Sequence, residues 1–133
     1  MAPAALATIR AHLSDLNRTA KDFDLIITGD LGKTGKEALL SLANKDGLEI
    51  SGKLADCGTL IFDTEQQDVH AGGSGCGCSA ITLCGHLLEQ IRLGVLNKIL
   101  FCGTGALLSP TSTQQGLPIP GVCHAVCICG GNG

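Results

Sequence analysis

The residues with most chemistry per position lie in Gly72-Gly73-Ser74-Gly75-Cys76-Gly77-Cys78-Ser79-Ala80, which runs straight into an amphipathic stretch from Ile81 to Leu93. The glycines let backbone pass close to a ligand before a helix starts. A helix beginning at Cys78 or Ser79 aims free N–H groups and the positive end of its dipole at the loop. Such a place suits an anion or a reacting carbonyl. Nucleophilic catalysis there needs a thiolate, a base and an oxyanion hole. Cys76 and Cys78, near a helix N-terminus, are candidates for a lowered thiol pKa. His70, earlier in the same loop, is the candidate base. Spacing alone does not bring them together.

Other motifs fail on spacing. Gly29-Asp30-Leu31-Gly32-Lys33-Thr34 invites a phosphate-loop reading, but it has two residues where that loop needs four. It reads as a tight turn and a helix cap. The glycines at 73, 75 and 77 miss the dinucleotide fingerprint, because position 78 is Cys. Cys76-x-Cys78, Cys84-x-His86, Cys123-His124 and Cys127-x-Cys129 supply soft ligands. Structural zinc favours two to four residues between paired cysteines, and pairs one residue apart point the wrong way for tetrahedral closure. The expectation is no metal and no cofactor. Cys102, Cys123, Cys127 and Cys129 read as small buried hydrophobes, and His86 and His124 as satisfied or surface histidines.

Composition narrows the classes. The 133 residues are 44% hydrophobic and 16% charged, which describes one globular domain with a modest core. There is no Trp or Tyr and only three Phe, so Leu, Ile, Val, Ala and Cys must build that core. A net charge of −3 without a basic run argues against nucleic acid as a partner. Met1 to Leu16 lacks the charged and apolar regions of a signal peptide. No apolar run reaches the roughly 20 residues of a membrane span. Eight cysteines without such a signal are expected to be free thiols in a reducing compartment.

The elements that must position these residues follow from periodicity. Pro3 opens a helix from about Ala4 to Leu16, with Leu6, Ile9, Leu13 and Leu16 at helical spacing. Phe23 to Thr28 is a buried strand. Thr34 and Glu37 form a capping box before a second helix that stops near Asp46-Gly47. Leu48 to Asp56 is polar and irregular, and Gly58 to Asp63 is a second strand. A third helix runs from Cys78 or Ser79 to Arg92, with Ile81, Cys84, Leu87, Leu88 and Ile91 on one face. Lys98 to Cys102 and Val122 to Cys129 are strands, and 103–121 is a long connection of the kind that is often functional. Residues 130–133 are a frayed tail. The order implies an α/β fold, a mixed sheet with helices packed on both faces.

Four stretches then carry a resemblance: DFDLIITGDLGKTGKEAL (22–39), DCGTLIFD (56–63), QQDVHAGGSGCGCSA (66–80) and ILFCGTGALLSPTSTQQGLPIPGVCHAV (99–126). They closely resemble the carboxyl-terminal half of the stage V sporulation protein AD family, which has a thiolase-like fold. The resemblance covers about Ala4 to Val126, and Cys127 to Gly133 depart from the usual ending. It implies dipicolinic acid binding, uptake of that acid into the developing spore, and a peripheral place at the inner spore membrane beside membrane proteins of the same operon. It also implies that the protein is not an enzyme. Thiolase-like condensing enzymes carry a His at the end of the first strand of this half, where this chain has Gly29. They carry an Asn before the buried helix, where this chain has Gly73-Ser74-Gly75-Cys76. Their nucleophilic Cys belongs to the other half.

Only the second half is expected here, so it would need the amino-terminal half or self-association to cover an apolar face. The small residues Ala80, Cys84 and Gly85 suit a helix packed tightly on both sides. The expected ligand loops carry Asp30, Lys33, His70, Ser74, Gly75, Cys76, Gly77 and Thr104, with Asp30 repelling a dianion unless it is protonated or faces away. Two alternatives stay open. One is a thiolase-like acyltransferase with Cys76 or Cys78 as nucleophile. The other is a docking module of a spore membrane complex, with Leu107 to Pro120 as its contact and no ligand of its own.

Overall fold

Strand β1 (Leu25–Thr28) is apolar on both faces because it lies inside the sheet, with parallel neighbours on either side. In this computed structural model, which describes residues 1–73 and 75–131, the sheet order is β2-β1-β3-β4. Strand β2 is Leu54–Asp56, β3 is Lys98–Ala106 and β4 is Gly121–Cys129. Strand β4 alone is antiparallel, pairing with β3 along its whole length from Lys98↔Cys129 to Ala106↔Gly121.

Alternation along the strands divides the core in two. Ile26, Leu100 and Cys102 face helices α1 (Ala2–Asp15) and α2 (Gly32–Lys45), packing against Ala5, Ile9, Leu39 and Ala43. Ile27 and Ile99 face the opposite way, towards Cys57, Cys78 and Leu87. Helices therefore cover both faces, as the order of apolar segments implies. Each fully buried Ile or Leu contributes roughly 1.5–3 kcal/mol to this packing. Helix α1 ends where expected: Asn17 takes a left-handed φ of +49°, and the Arg18 N–H bonds back to the Leu13 carbonyl.

The structure moves the second strand. Residues expected to be irregular form β2, and part of the expected strand 58–63 is helix α3 (Cys57–Leu60). Asp56 is the cause. Its carboxylate caps α3 by accepting from the Gly58 N–H at 3.0 Å. The same carboxylate accepts from the N–H groups of Leu31 (2.8 Å) and Gly32 (2.9 Å) at the start of α2, and from the Thr28 hydroxyl (2.7 Å). Asp56 is fully buried. Helix α2 consequently begins two residues before Thr34 and carries no side-chain cap of its own, so the expected Thr34–Glu37 box does not form. A reciprocal box does form at Thr19 and Asp22, over the short 3-10 turn Ala20–Asp22.

The third helix is interrupted. Helix α4 (Cys78–Thr82) and α5 (Leu88–Arg92) are joined by a π-helical turn, Leu83–Leu87. That turn rotates the expected apolar face, and only Leu87 of it is fully buried, with Ile91 partly so. Between β3 and β4 the chain is not structureless: β3 extends to Ala106, and α6 (Pro110–Gln114) is capped by Ser109. Gly130 is tied to the Asn97 carbonyl at 2.8 Å rather than frayed, while 132–133 lie outside the described residues.

Two stability predictions follow from buried polar groups. Asp56→Ala strips three backbone N–H groups of their acceptor and should cost roughly 3 kcal/mol or more in a urea melt; a loss under about 1 kcal/mol would contradict the capping role. His12 sits against Phe23, ring centroids 5.9 Å apart, and its Nε2 is buried without a partner among the described residues. Burial, and then the Arg18 and Lys98 cations, hold its pKa below the usual histidine value, against the opposing pull of Asp15. The unfolded chain then binds the proton more readily, so stability should fall as pH drops below about 6.5 and through the native pKa. His12→Phe should flatten that slope in denaturant melts across the range, and an unchanged slope would contradict the assignment.

Candidate functional site

The carboxyl ends of the parallel strands are where loops gather in an open α/β sheet. Here three segments meet: the turn after β1, the start of α4, and the outer part of β3. Gly29 marks the junction. A side-chain Cβ at this position would lie 3.1 Å from the Thr104 nitrogen and hydroxyl and 3.3 Å from the Ser79 Cβ. Asp30 and Thr104 lock together, the Asp30 N–H donating to Thr104 Oγ1 (3.2 Å) and that hydroxyl donating to Asp30 Oδ1 (3.0 Å). Asp30 is thus held against Thr104 inside the corner, and its charge stays close to the start of α4.

The glycine loop is tied to the same corner by backbone. The Lys33 N–H donates to the Ala71 carbonyl at 2.6 Å, and the Gly73 N–H to the Gly58 carbonyl at 2.7 Å. Gly32 must be glycine, because its φ is +67° and a Cβ would lie 2.8 Å from the Ala71 oxygen. Asp56 therefore fixes both α2 and α3, and the glycine loop hangs from their first residues.

The sequence-derived residues separate into groups. Asp30 and Thr104 are in direct contact. Gly75, Cys76 and Gly77 form the exposed lip before α4, with Gly77 as its N-cap residue. Lys33 contributes its backbone, and the residue is exposed. His70 does not join them: its side chain is 92% exposed and pairs with Asp68 at 3.8 Å. Ser74 lies outside the described residues. Asp56 was not among the candidates, although Asp-Cys-Gly-Thr has the form of a helix N-cap. Thr59 completes it by donating to the Asp56 carbonyl at 2.9 Å.

The thiol expectation is corrected at Cys78. Burial, then the carboxylates of Asp30 and Asp56, push its pKa up rather than down. Neighbouring Cys57 is raised to about 12, by burial first and then by Asp56. The outward side of the helix is apolar and open. Ala80, Ile81, Cys84, Gly85 and Leu88 are all exposed, at i, i+1, i+4, i+5 and i+8, with Ile81 at 61%. The expected tight packing of Ala80, Cys84 and Gly85 is absent among the described residues. Clefts of about 610 and 490 Å³ lie elsewhere, one bordered by Arg92, Lys98 and Cys129 and the other by Leu13, Lys21 and Lys53. No helix among the described residues is long and apolar enough to cross a membrane.

Comparison with known proteins gives one assignment. The stage V sporulation protein AD family matches residues 1–129. The chain is 50% identical over 126 residues to stage V sporulation protein AD of Bacillus subtilis (strain 168), a match covering 95% of this chain and 37% of that relative. It thus spans little more than a third of the relative's length. With nearly every residue matched and the loop motifs inside the matched span, the chain belongs to the stage V sporulation protein AD family.

Proposed function

We propose that this chain is the carboxyl-terminal, thiolase-like part of a non-catalytic sporulation protein that binds dipicolinic acid and serves its uptake into the spore. Family membership supports the sporulation role. The observation that carries the binding reading is the corner at Gly29, Asp30, Thr104 and the Gly75–Gly77 lip. Loop N–H groups at the lip suit a small dianion's carboxylates. The same corner argues against catalysis. Position 29, where the resemblance implies a catalytic His, is glycine, and a Cβ there would press on Thr104 (3.1 Å) and Ser79 (3.3 Å). The nearest helix-start thiol, Cys78, is buried with its pKa raised. No acyl-transfer base stands beside it among the candidates, since His70 points to Asp68.

The open stripe of Ala80, Ile81, Cys84, Gly85 and Leu88 supports a second wall. In this reading the amino-terminal half, within the length of the relative that this chain does not span, packs on the stripe and closes the ligand pocket. The docking alternative retains one supporting feature: Leu107, Leu108, Leu117 and Ile119 are exposed around α6. Membrane proteins of the same operon would be its partners.

Calorimetric titration of dipicolinic acid should show weak or no binding to the 133 residues alone and saturable binding once the amino-terminal half is supplied. Cys76→Trp, at an exposed position, should reduce that affinity more than tenfold with the melting temperature unchanged. Equal affinity in the folded variant would overturn the ligand site. Ile81→Lys should prevent co-elution of the two halves in size-exclusion chromatography; normal assembly would move the interface elsewhere.

A further inference from the structure

A separate cleft lies at the far end of the sheet from the glycine loop. It opens where the chain enters β1 and β2, between the end of α1, the turn Ala20–Asp22 and the segment 47–53. Its volume is about 490 Å³, within the range of roughly 300–1,000 Å³ usual for small-molecule sites. The floor is aliphatic: Leu13, Ala20 and Ile50 are buried and Leu48 is half-buried. No aromatic ring lines it among the described residues, so nothing there stacks on a planar ligand.

The rim is cationic, although the whole chain carries a net charge of −3. Arg18, Lys21 and Lys53 border the cleft, and none of them lies in an ion pair among the described residues. The rim also carries the Glu49 carboxylate, which accepts from the Ser51 hydroxyl. Two further carboxylates feel these cations but are held by backbone. Asp22 accepts from the Thr19 N–H at 2.6 Å, and Asp24 from the N–H groups of Asn97 (2.6 Å) and Lys98 (3.0 Å). Arg18 leans on a sulfur, its Nη1 donating to Cys127 at 3.7 Å. That thiol is half-buried and Cys129 is exposed, so the expectation of four buried thiols holds for Cys102 and Cys123 only. Lys21 and Lys53 keep their ammonium groups for a ligand.

We propose that this cleft binds an amphiphilic anion, a single aliphatic chain ending in one carboxylate. The chain lies on Leu13, Leu48 and Ile50, where each buried methylene is withdrawn from water. The carboxylate stays at the mouth beside Lys21 and Lys53. Both lysines reach it on flexible stems and remain hydrated, so no charge has to be buried. The proposal is independent of the dipicolinic acid reading, because the two sites lie at opposite ends of the strands and suit different chemistry. Gly52 is the discriminating position. It lines the cleft, its φ is outside the left-handed region, and a Cβ there meets nothing within 4 Å. A large side chain can therefore fill the cleft without straining the backbone.

The test is calorimetric titration of decanoate, below its micellar range, into the 133-residue chain. One equivalent should bind saturably. Octanoate should bind several-fold more weakly, because two buried methylenes are lost. Decyltrimethylammonium, the same chain under a cation, should bind at least tenfold more weakly. Gly52→Phe should abolish decanoate binding with the melting temperature unchanged. Lys53→Glu should weaken it at least tenfold, and Lys53→Arg should retain it. Arg92→Glu, on the other cleft, should leave it unchanged. Thermal melts identify any variant that fails to fold, and the Lys53 pair decides if Gly52→Phe does. No saturable binding, equal affinity for the cationic amphiphile, or unchanged decanoate affinity in folded Gly52→Phe or Lys53→Glu would overturn the inference.

Discussion

A single buried carboxylate organises the carboxyl end of this sheet. Asp56 gathers four donors from three segments: the Thr28 hydroxyl on β1, two N–H groups at the head of α2, and one at the head of α3. Burying an unpartnered carboxylate is prohibitive, and burying one among aligned donors is tolerable. The helix starts need an acceptor as much as Asp56 needs donors, because their first N–H groups have no partner within the helix. The exchange fixes the turn Gly29–Leu31, and with it Asp30 against Thr104. It also fixes Gly32 against Ala71 and Gly58 against Gly73, the two points from which the glycine loop is suspended.

What this frame presents is a surface with one wall. The lip at Gly75–Gly77 is open, and the helix behind it shows Ile81 and Leu88 to solvent on a stripe otherwise made of small residues. Small residues permit close approach of another backbone, and aliphatic ones reward burial. In the proposed reading, the amino-terminal half packs there. Cys57 and Cys78 have their thiol pKa values raised by burial and by the carboxylates beside them, which disfavours the thiolate at those two positions.

Much of the fold was legible from periodicity. Pro3 and the spacing of Leu6, Ile9 and Leu13 place α1, and the apolar runs at 25–28 and 98–102 place the two central strands, because propensity and burial agree there. Legibility failed where a distant group overrode local preference. Thr34 and Glu37 have the form of a capping box, yet Asp56 caps α2 earlier in the chain, from another strand. Leu54-Ala55-Asp56 is too short to announce a strand, and Gly58 to Asp63 look like one, although Asp56 caps helix α3 across Cys57–Leu60. The π turn at Leu83–Leu87 likewise leaves no mark in a 3.6-residue pattern, so the expected single face breaks up: Leu87 and Ile91 keep to the core, while Ile81, Cys84 and Leu88 are exposed. Of the candidate site, Asp30 and Thr104 were recoverable as loop residues, but their mutual bonding was not, since it joins positions 74 apart. His70 misled because its side chain turns out to solvent beside Asp68, which sequence position does not reveal.

The measurement that bears most directly on this account is amide hydrogen exchange by NMR in the native protein and in Asp56→Asn. The account predicts slow exchange at Leu31, Gly32 and Gly58 in the native chain. In the variant, protection should fall at all three together while the β1–β3 ladder stays protected. Equal protection at these amides in both proteins would show that Asp56 does not hold the corner, and the site built on it would have to be abandoned.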